Sequence, residues 1–222
     1  MPTASESRAA LQLITSAAVA ASTTVLQSLS GSGQVQRADL LDAVPEIIAY
    51  YSDGSAALAA DFYDDEREAA AAASRFSAEP IILDRTEKIR RAIAWSAQPL
   101  IDGVGHTSGR LAEVVQIETA RPYRDTVTTN LSRDSEAKGW RRVTHGGCGF
   151  CRMLADKGAV YRKEMSARFA SHPNCHCGAQ PVFGSDAGPE ASVIQYVASK
   201  RRSSAADRQR VREYLAAHYG DH

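Results

Sequence analysis

The sequence predicts a mainly α-helical protein: a helical domain over residues 1–138, a small α+β module over 139–184, and a linker with a basic C-terminal helix over 185–222. Three observations predict it. Apolar residues recur at helical spacing through roughly the first 135 positions. Short β-like runs appear only near Trp140–Thr144 and Gln180–Phe183. The Ala- and Arg-rich stretch from Ser203 to Tyr219 returns to a helical composition.

The elements follow in chain order. Leu11, Ile14, Ala18, Val25 and Leu29 line one helical face, and Ser30-Gly31-Ser32-Gly33 ends that helix. Gln12, Thr15, Ser16 and Thr23 interrupt the apolar run, and Glu6 offsets Arg8 ahead of it, so the segment reads as an amphipathic helix and not as a leader or a membrane span. A second helix is expected over Arg37–Tyr51, with Pro45 as a kink and Asp53-Gly54 as its end. A third runs from Ser55 through the alanine run Ala69–Ala73, the composition of highest helix propensity. Glu79-Pro80 interrupts, and Asp84 caps a helix through Ile89, Ile93 and Trp95 that stops near Gln98-Pro99. After Gly103–Gly105, a long helix carries Leu111, Val114, Val115, Ile117, Val127 and Leu131, bends at Pro122, and extends to about Lys138, where Gly139 stops it. A strand, a short helix over Met153–Lys157, a second strand and the Gly184–Pro189 linker complete the order.

All four cysteines fall in one window, Cys148-Gly-Phe-Cys151 and His172-Pro-Asn-Cys175-His176-Cys177. A C-x2-C pair followed about twenty residues later by H-x2-C-x-C offers more soft ligands than the four a tetrahedral zinc ion takes. Pro173 and Asn174 favour a turn that brings His172 and Cys175 together. If the chain leaves that turn extended, Cys175 and Cys177 share one face and His176 takes the other, which makes His176 the weakest ligand candidate. The candidate metal set is therefore Cys148, Cys151 and Cys175, with His172 and Cys177 competing for the fourth position, around a structural Zn2+. Rival uses of the same residues are thiol–disulfide exchange at Cys148-Gly-Phe-Cys151, which lacks its usual βαβ context, and structural disulfides, which need an oxidising compartment that nothing else indicates.

Formal charge is zero, yet Arg141, Arg142, Arg152, Lys157, Arg162, Lys163 and Arg168 crowd the cysteines, which opens a nucleic-acid-binding alternative. No Gly-rich phosphate loop, H-E-x-x-H, G-x-S-x-G or dinucleotide fingerprint occurs, so the chain is expected not to be an enzyme. His145 beside the first cysteine pair, or His106, supplies the one enzymatic alternative, an HNH-like nuclease for His145.

The stretch Trp140–Phe183, reading W-R-R-V-T-H-G-G-C-G-F-C-R-M-L-A-D-K-G-A-V-Y and then H-P-N-C-H-C-G-A-Q-P-V-F, resembles the C-terminal signature of phage head-morphogenesis, or Mu F-like minor capsid, proteins of the actinobacteriophage type. In that family an Arg often stands where this chain has His176, which leaves the metal set untouched. The resemblance implies a non-enzymatic inner capsid component, present in the host cytoplasm during assembly and retained in the virion. It also implies portal, scaffold or major capsid protein as partners, contact with packaged DNA as an open question, and no membrane association.

Overall fold

A computed structural model describes residues 1–144, 148–158, 175–184 and 203–220. His145, His172 and the expected linker beyond Gly184 lie outside the described residues.

Helix α1, Ala4–Ser28, starts where Thr3 and Glu6 close a reciprocal capping box, satisfying two donors that a helix start leaves unpaired. It has the length and apolar composition of a membrane-crossing helix. Its Leu11 and Ala18 are nevertheless core residues, each in one of two apolar clusters.

Helix α2, Gly33–Ala69, is a single 37-residue element capped by Ser32. The expected break at Asp53-Gly54 does not occur. The reason is packing: Ser52, Ser55, Ala56, Ala59 and Ala60 are all buried, so this stretch of small residues is held helical by neighbours whose burial outweighs the propensity cost of one glycine. Pro45 is likewise inside the helix. The Leu41 carbonyl, denied its N–H by the ring at residue 45, accepts instead from Arg90 Nη1 at 2.9 Å.

The alanine run ends α2 instead of extending it. Ala70 is the C-cap and Ala71 turns left-handed at φ 50°. The following amides of Ala73 and Ser74 donate to the Glu136 carboxylate, and Arg67 reaches the Ser74 carbonyl. Tertiary hydrogen bonds thus override the highest local helix propensity in the chain.

Helix α3, Thr86–Ser96, begins with Asp84 Oδ1 accepting the Thr86 amide at 3.0 Å, and the short α4, Pro99–Asp102, follows it. Helix α5, Thr107–Arg133, continues through Pro122 but stops short of Lys138. Asp134 ends it: its side chain is fully buried and accepts from Tyr63, Arg67 and the Glu136 amide, which turns the chain into strand β1, Ala137–Val143. Lys138 and Gly139 are therefore strand residues.

Helix α6, Gly149–Asp156, and strand β2, Gly178–Phe183, occupy the cysteine window, and α7, Ala205–His218, starts at a Ser204–Asp207 capping box. The two strands pair antiparallel, with Trp140 opposite Pro181 and Val143 opposite Gly178. They do not stand apart from the helices. Trp140, Ala137 and Ala179 share a core with Leu11 of α1, Phe62 and Tyr63 of α2, and Tyr123, Val127 and Leu131 of α5. A second core joins Ala18, Leu40, Val44, Ile48, Ile93, Leu111 and Val115. The fold is mainly α, as the periodicity predicts, with the small sheet laid against α5.

Candidate metal centre

Cys148 is the N-cap of α6 and Cys151 lies in its first turn, so the C-x2-C spacing becomes one helix start. Cys175 and Cys177 flank His176 in the segment entering β2. Burial alternates as an extended segment requires: Cys175 and Cys177 are buried at 3% and 2% exposure while His176 faces solvent.

Folding brings Cys151, Cys175 and Cys177 together. Their sulfurs all lie within 4.8 Å of one another, and Cys151 and Cys175 are 3.9 Å apart. Two thiolates bound at about 2.3 Å in a tetrahedron stand about 3.8 Å apart, so the spacing, the burial and the soft donor set suit a metal ion such as zinc. All four cysteines are thiols and not half-cystines. Cys148 is exposed and is not among the three converging sulfurs. His106 is the exposed N-cap of α5.

The floor of the centre is α5, which the sequence pattern did not single out. Arg124 is buried, and its Nη2 donates to the carbonyls of Cys175 and Cys177, each at 3.0 Å. Its Nε donates to the Cys177 carbonyl at 3.2 Å, and Nη2 lies 3.9 Å from Cys175 Sγ. Gln116, two turns earlier on α5, donates to the Cys175 carbonyl at 3.1 Å. From β1, Arg142 Nη1 lies 3.8 Å from the same sulfur.

The neighbouring thiols dominate the electrostatics, and Arg124 adds to them. Hydrogen bonds from Cys151 and Cys177, helped by Arg124, hold the Cys175 thiol far below the ordinary thiol range, against the opposing effect of burial. Hydrogen bonds with Cys175 and Cys177, together with burial, push the Cys151 thiol up. Burial pulls the Arg124 guanidinium below its usual value, and the Cys175 and Cys177 thiols work against that fall. A thiolate with adjacent guanidinium groups is the charged form that coordinates a metal.

A signal for Arg124 was present in the sequence. With Gln116, Ala120, Val127 and Leu131 it falls on the inward stripe of α5, and a charge on an apolar stripe requires a buried acceptor.

The described basic residues around the cysteines are part of the fold. Arg142 is buried, Lys157 is 9% exposed, and Arg141 Nε donates to Gln180 Oε1 at 2.7 Å. Arg152 donates to the carbonyls of Tyr219 and Gly220, docking the end of α7 on α6. Arg162, Lys163 and Arg168 lie outside the described residues.

No curated protein and no solved structure matches the chain. The sequence profile of the VG15 protein family matches residues 2–200, which take in α1 through β2 and the whole cysteine window. The chain belongs to the VG15 protein family, a family of phage gene products.

Proposed function

We propose that this chain is a minor capsid, head-morphogenesis protein of a tailed phage, of the Mu F-like kind, that serves a structural role without catalysis and carries one structural zinc ion. The observation that carries this reading is the convergence of Cys151, Cys175 and Cys177 inside the Trp140–Phe183 signature, in a chain whose match to a phage family spans residues 2–200. The chemistry agrees with a structural role: three buried thiols beside buried arginines leave little access for substrate. Cys148 or His172 would complete the zinc set. In this reading the protein sits inside the capsid, joins it in the host cytoplasm, and contacts portal, scaffold or major capsid subunits through its helical surface.

The test is mass spectrometry of purified procapsids and virions. The protein is expected in both at low copy number, and a chain found only in the soluble fraction of the lysate would sink the assignment. Metal content adds an independent readout. One zinc per chain is expected in wild type, lost in Cys151→Ser and Cys175→Ser, and lost in whichever of Cys148→Ser and His172→Ala removes the fourth ligand.

A nucleic-acid-binding role draws less support. Among the described residues beside the cysteines, Arg142 and Lys157 are buried and Arg141 and Arg152 donate within the fold, so these four do not supply the exposed cations that phosphate contact needs. A nuclease role for His145 has no described geometry behind it.

A further inference from the structure

We infer that Arg124 is the positioning residue of the metal centre, and that through it occupancy of the thiol cluster is coupled to docking of the Cys175–Phe183 segment on α5. The inference rests on the proposed metal reading and extends it from the ligands to the helix beneath them.

Arg124 grips both ligand residues at once. Its fork spans the carbonyls of Cys175 and Cys177 at 3.0–3.2 Å, while Gln116 takes the Cys175 carbonyl from a second point on the same helix. The backbone of the ligand segment is thereby fixed at two places, with both thiols turned toward Cys151. Gly178, the next residue, packs against Tyr123 and Arg8, where an added Cβ would lie 3.5 Å from the Tyr123 ring. α5 therefore fixes the backbone that carries Cys175 and Cys177, and the guanidinium, 3.9 Å from Cys175 Sγ, sits where it stabilises the charge of that thiolate. Lysine carries the charge but not the fork, so it cannot hold two carbonyls in the same way. A metal that binds only the docked segment stabilises docking by its own binding free energy, which makes the coupling reciprocal.

The experiment uses the full chain with Zn2+ and Co2+ as probes. Affinity is measured by competition with a chelator, and the Co2+–thiolate charge-transfer band is recorded for wild type, Arg124→Lys, Arg124→Gln and the control Arg121→Gln. Both Arg124 variants are expected to weaken binding about 10–100-fold and to shift the charge-transfer band, with Arg121→Gln unchanged. Equal affinity and an identical spectrum in Arg124→Lys would overturn the inference and leave the metal centre standing. A wild type that takes up neither ion would instead remove the reading beneath it. If the variants fail to fold, hydrogen exchange on wild type decides: protection over 175–183 and around residues 116–124 should fall on stripping the metal and return with Zn2+, and unchanged protection would refute the coupling.

Discussion

Arg67 of α2 and Asp134 at the end of α5 form a buried ion pair, with Arg67 Nε donating to Asp134 Oδ2 at 3.1 Å and side-chain exposures of 10% and 0%. The pair joins the two longest helices at the point where one ends and the other turns into β1. Tyr63 and the Glu136 amide also donate to this carboxylate. Removing it would leave Arg67 Nε, the Tyr63 hydroxyl and the Glu136 amide without this acceptor while Arg67 keeps Glu136 and Ser74, so Asp134→Ala is expected to lower the unfolding free energy by about 2–3 kcal/mol in urea titration. A loss under about 1 kcal/mol, the scale of an exposed pair, would refute this role.

The proline in α2 makes a testable pair with Arg90. Arg90→Met removes the donor to the Leu41 carbonyl and is expected to cost about 1 kcal/mol. In a Pro45→Ala background residue 45 supplies that N–H itself, so the cost of Arg90→Met should fall close to zero. Equal costs in the two backgrounds, read from a double-mutant cycle, would mean that Arg90 does not compensate for the proline.

Glycines separate close approach from open space. A Cβ on Gly33 would lie 1.9 Å from the Leu100 carbonyl oxygen, and one on Gly149 would lie 2.7 Å from that of Tyr219. Both obstacles are backbone, so Gly33→Ala is expected to cost about 1–3 kcal/mol, and Gly149→Ala to release the end of α7. Gly109 in α5 meets nothing within 4 Å, and Gly109→Ala should stabilise by up to about 1 kcal/mol. Thermal denaturation of the three variants ranks them.

Two carboxylates on α5 should shape stability against pH in opposite senses. Burial raises the Glu118 carboxyl, but Arg85, which donates at 2.8 and 2.9 Å, and Arg121 bring it to a net position below its ordinary value. A depressed folded pKa contributes stability above the unfolded value that is lost as pH falls through the folded one. Asp125 is the reverse: burial raises it, with Arg121, Arg85 and Arg124 offsetting part of the rise. Its ionisation therefore costs stability as pH rises through the window between the unfolded and the raised pKa. Asp125→Asn is expected to stabilise at neutral pH with a gain that vanishes in acid, whereas Glu118→Gln should destabilise at neutral pH and flatten the acid limb. Urea midpoints from pH 3 to 8 would expose either sign as wrong.

Thiol labelling follows from burial. In folded protein not treated with chelator, Cys148 is expected to react first with a maleimide, with Cys151, Cys175 and Cys177 lagging because each is 3% exposed or less. Simultaneous labelling of all four, followed by peptide mass spectrometry, would contradict the buried cluster.

Much of the layout was legible because its causes are local. Asp84 with the Thr86 amide acts within two residues and is the cap expected from sequence, and the Thr3–Glu6 and Ser204–Asp207 boxes, equally local, mark two more helix starts that the sequence reading did not use. The clustering of cysteines marked the site for the same reason. The continuity of α2 through Asp53-Gly54 and its end inside the alanine run were not legible, since they depend on α1 and α5 packing and on a carboxylate from residue 136.

The sequence by itself determined a helical protein with thiols gathered in one window, because periodicity, caps and ligand spacing are properties of neighbouring residues. Only the tertiary structure decided that Cys151, Cys175 and Cys177 meet over Arg124, a residue 27 positions before Cys151. A buried guanidinium must find its acceptors wherever the fold provides them, and that choice is made by packing across the chain and not by the residues beside it.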